Sequence, residues 1–138
     1  MRYRAAWDTS DVSIAETREA VRALLADAGH DPDQRPSQDA QIVVSELVTN
    51  ALRHAPGPGD LALEVTPDAA LLRITVRDSS PRPLELRAHD VRRVGGHGLF
   101  MVTRLCDQLH TIALETGKQI VAHLRLIKPA GQSLSGSA

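Results

Sequence analysis

Apolar and polar positions along the chain change spacing several times, and each change marks the boundary of an element. Arg2 to Trp7 alternates weakly, which predicts a short first strand. Ser13-Ile14-Ala15-Glu16 fits a capping box, in which a serine and a glutamate three residues later satisfy free N–H groups at a helix start. Val21, Leu24, Leu25 and Ala28 then recur at helical spacing, and Gly29 stops that helix. His30 to Pro36 is polar and proline-bearing, hence a loop. A second helix is predicted from about Ser37 to His54, because Val43, Val44, Leu47, Val48, Ala51 and Leu52 fill one broad arc. Ala55-Pro56-Gly57-Pro58-Gly59 cannot continue it.

Leu61 to Thr66 and Leu71 to Arg77 read as strands of a hairpin joined by Pro67-Asp68-Ala69-Ala70. Asp78-Ser79-Ser80-Pro81-Arg82-Pro83 breaks the second strand, and the charged segment Leu84 to Arg93 predicts a mobile loop. Val94-Gly95-Gly96-His97-Gly98 leads into a third helix with Leu99, Val102 and Leu105 inward. Thr111 to Glu115 and Gln119 to Ile127 predict a last hairpin around Thr116-Gly117-Lys118. Helices interleaved with hairpins predict an α/β two-layer sandwich, a mostly antiparallel mixed sheet with about three helices on one face. Residues 1–127 read as one domain, and the Gly/Ser-rich stretch 128–138 as a disordered tail.

Composition narrows the function classes. The 138 residues suffice for one core without disulfides or metal. Tyr3, Trp7 and Phe100 are the only aromatic residues, so stacking platforms for single-stranded nucleic acid are not expected. The net charge of -1, without a basic cluster, argues against direct nucleic-acid binding. The single cysteine, Cys106, gives neither a disulfide framework nor zinc spacing, and reads as a small buried hydrophobe. No apolar run is long enough to span a membrane and no signal-peptide core is visible, which predicts a cytoplasmic protein.

Three stretches carry candidate chemistry. Glu46, Asn50 and His54, at i, i+4 and i+8, stack along one stripe beside the apolar arc of the second helix. Such a row can orient a nucleophile, ligate a hard metal or contact phosphate; the plain alternative is the solvated edge of an amphipathic helix. Asp78 follows a strand end, where a carboxylate can accept from an exocyclic amine or simply form an Asx turn. Gly95-Gly96-His97-Gly98 opens a helix, where free N–H groups suit phosphate, although such turns are common. It is neither a Walker A loop nor a dinucleotide fingerprint, lacking the Lys-Ser/Thr pair and the βαβ frame.

Taken in order, these stretches resemble the N, G1 and G2 boxes of the GHKL ATP-binding superfamily. Val43 to His54 looks very like the N box of its single-domain branch, the anti-sigma-factor serine/threonine kinases. Asp78-Ser79-Ser80-Pro81 resembles the G1 box and Gly95-Gly96-His97-Gly98-Leu99 the G2 box, and the resemblance covers roughly Arg18 to Leu126. It implies that Asn50 ligates Mg²⁺, that Glu46 is the general base, and that Asp78 holds the adenine amine with Ser80 nearby. It further implies that Gly95, Gly96, His97, Gly98 and Leu99 wrap the phosphates of ATP, with Arg53 and His54 as phosphate neighbours and Leu84–Val94 as a lid. The implied function is an anti-sigma regulatory factor that phosphorylates a STAS-type antagonist and sequesters a sigma factor. The alternative is a nucleotide-gated regulator with little or no kinase activity. An apolar surface on the first helix is expected to support a possible homodimer. The chain departs from the family pattern at Ser80, where a glycine is usual, and at Gln119, where the last hairpin often presents a threonine.

Overall fold

The computed structural model describes residues 1–8, 12–55, 57–80 and 96–127, with the backbone alone at 96–99. In chain order the elements are β1 (Arg2–Trp7), α1 (Ile14–Asp27), α2 (Arg35–His54), β2 (Gly59–Val65), β3 (Leu71–Asp78), α3 (Gly96–Leu105), β4 (Gln108–Leu114) and β5 (Gly117–Arg125). The predicted tail and lid lie outside the described residues.

Local chemistry explains the helix ends. Ser13 Oγ accepts the Glu16 N–H at 3.2 Å, so the predicted cap forms. At the other end Gly29 takes φ +93° and the chain turns off, the N–H of His30 reaching the Leu25 carbonyl at 2.8 Å. α2 starts two residues before the predicted Ser37. Pro36 belongs to its first turn, where a missing N–H costs no helical bond.

The strands form one sheet in the order β1-β2-β3-β5-β4, and all four ladders are antiparallel. β5 lies inside the sheet because it is apolar on its helix-facing side, with Ile120, Ala122 and Leu124 buried. These meet Leu61, Leu63, Leu72, Ile74 and Val76 from the neighbouring strands, and α1 and α2 cover them with Val21, Leu25, Val43, Val44, Leu47 and Val48. The opposite sheet face mixes polar residues with Val121, Ile112 and Leu114, and on it Glu64 lies between two cations, Arg2 at 3.0 Å and Arg73. The observed architecture is thus the expected two-layer sandwich.

Two details bear on the periphery. His30 Nε2 donates to the Ala69 carbonyl at 2.7 Å, tying the α1–α2 loop to the β2–β3 turn. The large apolar residues of α1 point inward, and the exposed ones among the described residues lie elsewhere, including Ile42, Met101 and Ile112. The apolar side chains that α1 exposes are therefore small, Ala15, Ala23 and Ala26, because the core takes Val21, Leu24 and Leu25.

Candidate functional site

α2 carries the polar stripe as its period requires. Glu46 is half-buried, Asn50 is 9% exposed, and His54 reaches solvent at the helix end. The core-facing arc pins α2 in rotation, so these three side chains border the buried surface. Neither Glu46 nor Asn50 uses its side chain in a hydrogen bond or ion pair among the described residues. Arg53 is exposed and engaged with a neighbour. Glu46 also lines a groove of about 420 Å³ with Arg18, Gln38, Gln41, Ile42 and Ser45, between α1 and the outer side of α2.

Asp78 ends β3 with its side chain on the helix-facing side and only 3% exposed. Its Oδ1 accepts the Ser80 N–H at 2.9 Å, so the Asx turn weighed as the plain alternative forms, and Ser80 is buried beside it. Sequence reasoning missed its second partner. Lys118 stands directly opposite Asp78 in the β3–β5 ladder, donates to Oδ1 at 3.1 Å and lies 2.9 Å from Oδ2. The Oδ2 contact is ionic without hydrogen-bond alignment, which leaves that oxygen a buried acceptor with no hydrogen bond. Gly117 makes the approach possible: a Cβ there would overlap the Asp78 carbonyl oxygen. Gln119 points to the other sheet face, where Arg77 donates to its Oε1 at 3.4 Å. The residue facing Asp78 is therefore Lys118, and Gln119 is not near it. The signal available in the sequence was the alternation of β5, in which Lys118 shares a face with Ile120 and Ala122.

The glycine segment enters a helix earlier than its composition predicts. α3 begins at Gly96, so Gly96, His97 and Gly98 form its first turn and present free backbone N–H groups. Gly95 lies outside the described residues, and for Gly96 to Leu99 the backbone alone is described. α2 packs against both α3 and β3. The Ser79 hydroxyl donates to the Pro58 carbonyl at 2.6 Å, which joins the chain just past α2 to the chain just past β3. The end of α2 that carries His54 is thereby held near the end of β3 that carries Asp78.

The donor chemistry suits Mg-ATP. An uncommitted amide oxygen on Asn50 is a hard donor of the kind Mg²⁺ takes alongside phosphate and water. Among the described residues no cluster of His, Cys, Asp and Glu could hold a metal by itself.

A profile for the histidine kinase-like ATPase domain matches residues 7–124. The chain belongs to that family. Membership makes it an ATP-binding, kinase-like domain. Among solved structures, a chain of the SiaB-SiaC complex from Pseudomonas aeruginosa is similar, with TM-score 0.62 and 16% identity over 88% of each chain. The Acinetobacter baumannii histidine kinase AdeS gives TM-score 0.52 and 12% identity, over 91% of this chain and 68% of that one. The histidine kinase domain of the Erythrobacter litoralis EL346 blue-light activated kinase gives 0.49 and 21% identity, over 88% and 65%. No curated protein matches the chain. Among the described residues no helix is long and apolar enough to cross a membrane.

Proposed function

We propose that this histidine kinase-like ATPase domain is an Mg-ATP-dependent protein serine/threonine kinase. In this reading it phosphorylates a STAS-type anti-sigma antagonist, sequesters a sigma factor, and works in the cytoplasm as a single domain over residues 1–127. The observation that carries the reading is the α2 stripe, whose half-buried Glu46 and nine-tenths-buried Asn50 are both uncommitted beside the family's other two motifs. A domain that only bound nucleotide would have no use for a free carboxylate next to the metal-ligating amide.

The roles follow from placement. Asn50 would hold Mg²⁺, which would supply charge neutralisation to the phosphates. Glu46 takes the proton of the attacking serine hydroxyl, and its place on the groove with Arg18 and Ser45 leaves it open to a protein substrate. Asp78 and Ser80 hold the base end. The first turn of α3, with Gly96, His97, Gly98 and Leu99 after Gly95, cradles phosphate through backbone N–H groups. In this reading His54 and Arg53, at the end of α2, are phosphate neighbours. Phosphoryl transfer requires mainly positioning and electrostatics from the protein, which this arrangement supplies. That a chain with this fold occurs in a two-protein complex is consistent with partner binding.

Incubation with labelled ATP, Mg²⁺ and a STAS-type antagonist tests the reading, and phosphoserine on the antagonist is the expected product. The second reading is a nucleotide-gated regulator without transfer. It predicts nucleotide-dependent partner binding with no phosphoserine.

A further inference from the structure

Lys118 has no part in the roles above, yet it is buried against the one carboxylate assigned to the base. A carboxylate by itself only accepts hydrogen bonds, and an ammonium only donates them. An Asp standing alone therefore suits a purine whose 6-substituent is an amino group and opposes one whose 6-substituent is a carbonyl. Here the two groups stand side by side. Oδ1 is occupied by the Ser80 N–H and by one Lys118 N–H, whereas Oδ2 is a buried acceptor without a hydrogen bond, 2.9 Å from Nζ. The pair thus sets a buried acceptor that lacks an aligned hydrogen bond next to a cation with donors beyond the one given to Oδ1.

A 6-aminopurine offers N6–H beside the ring acceptor N1, and a 6-oxopurine offers the O6 acceptor beside N1–H. Both orders can be met here. The amino purine places N6–H on Oδ2 and N1 toward Nζ; the oxo purine places N1–H on Oδ2 and O6 toward Nζ. We propose that Lys118 is a specificity-determining residue of the purine pocket, widening it to accept 6-oxopurine as well as 6-aminopurine nucleotides. The inference rests on the nucleotide-site reading and deepens it by naming the ligand class.

Titration calorimetry of the full chain with ATP and with ITP, which differ only at the 6-position edge, tests it. The wild-type chain should bind ITP within about tenfold of ATP, since neither base leaves a buried group unpaired. Lys118→Met should weaken both nucleotides, since each turns an acceptor toward Nζ, and should weaken ITP more than ATP by roughly tenfold, because only ITP is then left with a carbonyl against the Asp78 carboxylate. An unchanged ATP-to-ITP ratio in Lys118→Met overturns the proposal. Should that variant lack a cooperative melt, the wild-type ratio decides. Discrimination against ITP beyond about thirtyfold then overturns the proposal, and less supports it. ATP bound with ITP rejected sinks this inference alone; no heat from either nucleotide at millimolar concentration sinks the nucleotide site with it.

Discussion

Glu46 and Asp78 are both carboxylates in different surroundings, and the proposed function gives them different tasks. Glu46 is half-buried and uncommitted, so its removal disturbs no internal contact. Glu46→Ala is expected to abolish phosphoserine formation while ATP affinity by calorimetry stays within a few-fold. Asp78 is buried and paired, so Asp78→Asn is expected to weaken ATP binding strongly, with a melt recorded alongside because Lys118 loses its counter-ion. Equal loss of binding in the two variants would contradict the assignment. Cys106 illustrates a side chain whose surroundings silence it. Burial, with Asp107 adding like charge, pushes its thiol up to about 12, and it packs against the core below α3. The thiolate is the nucleophile, so Cys106 should resist iodoacetamide at pH 8 in the folded protein and react once urea unfolds the chain. Rapid labelling of the folded chain would show that the thiol is not held this way.

The pairing of β3 with β5 is the element-level event that brings Asp78 and Lys118 together. Gly117 sits against the Asp78 backbone with no room for a Cβ. Gly117→Ala should cost on the order of 3 kcal/mol by chemical denaturation and should also weaken nucleotide binding, because it pushes the two strand ends apart. Leu47, fully buried on α2, lies in the core and away from the polar stripe. Leu47→Ala should cost about 2–5 kcal/mol, and a loss below 1 kcal/mol would place α2 outside the core. These two elements also differ in how far the sequence could reveal them. The α2 stripe was legible because helical geometry is local: Glu46, Asn50 and His54 share a face whatever the rest of the chain does. The capped start of α1 was legible for the same reason. Lys118 was not legible. With β5 predicted from Gln119 it fell in the turn, and its facing Asp78 depends on a register between strands forty positions apart.

At the scale of the whole molecule, helices cover one sheet face, and the other, where polar residues stand among Val121, Ile112 and Leu114, carries a pH response. His123 and His110 lie there, ring centroids 6.0 Å apart and nearly edge-on, with His123 Nδ1 buried and without a hydrogen bond. Desolvation lowers the His123 imidazole below its usual value, and the nearby charges of His110 and Arg73 lower it further. The sign follows from proton uptake. Below about pH 6.5 the unfolded chain binds a proton at this histidine while the folded one refuses it, so stability falls as pH drops through that value. The fall levels off once the folded imidazole itself titrates. Asp68 acts in a separate window. Its carboxyl accepts from Thr66 and from the Ala70 N–H, both of which lower it, so its contribution is present above the ordinary carboxylate value of 3.8 and lost in stronger acid. Urea midpoints at pH 8, 6.5 and 5.5 therefore isolate the histidine. They should decline in that order in the wild-type chain, and the decline should flatten in His123→Gln. An equal slope in both proteins would assign the response to other histidines, and a rise in stability on acidification would reverse the inferred direction of the shift.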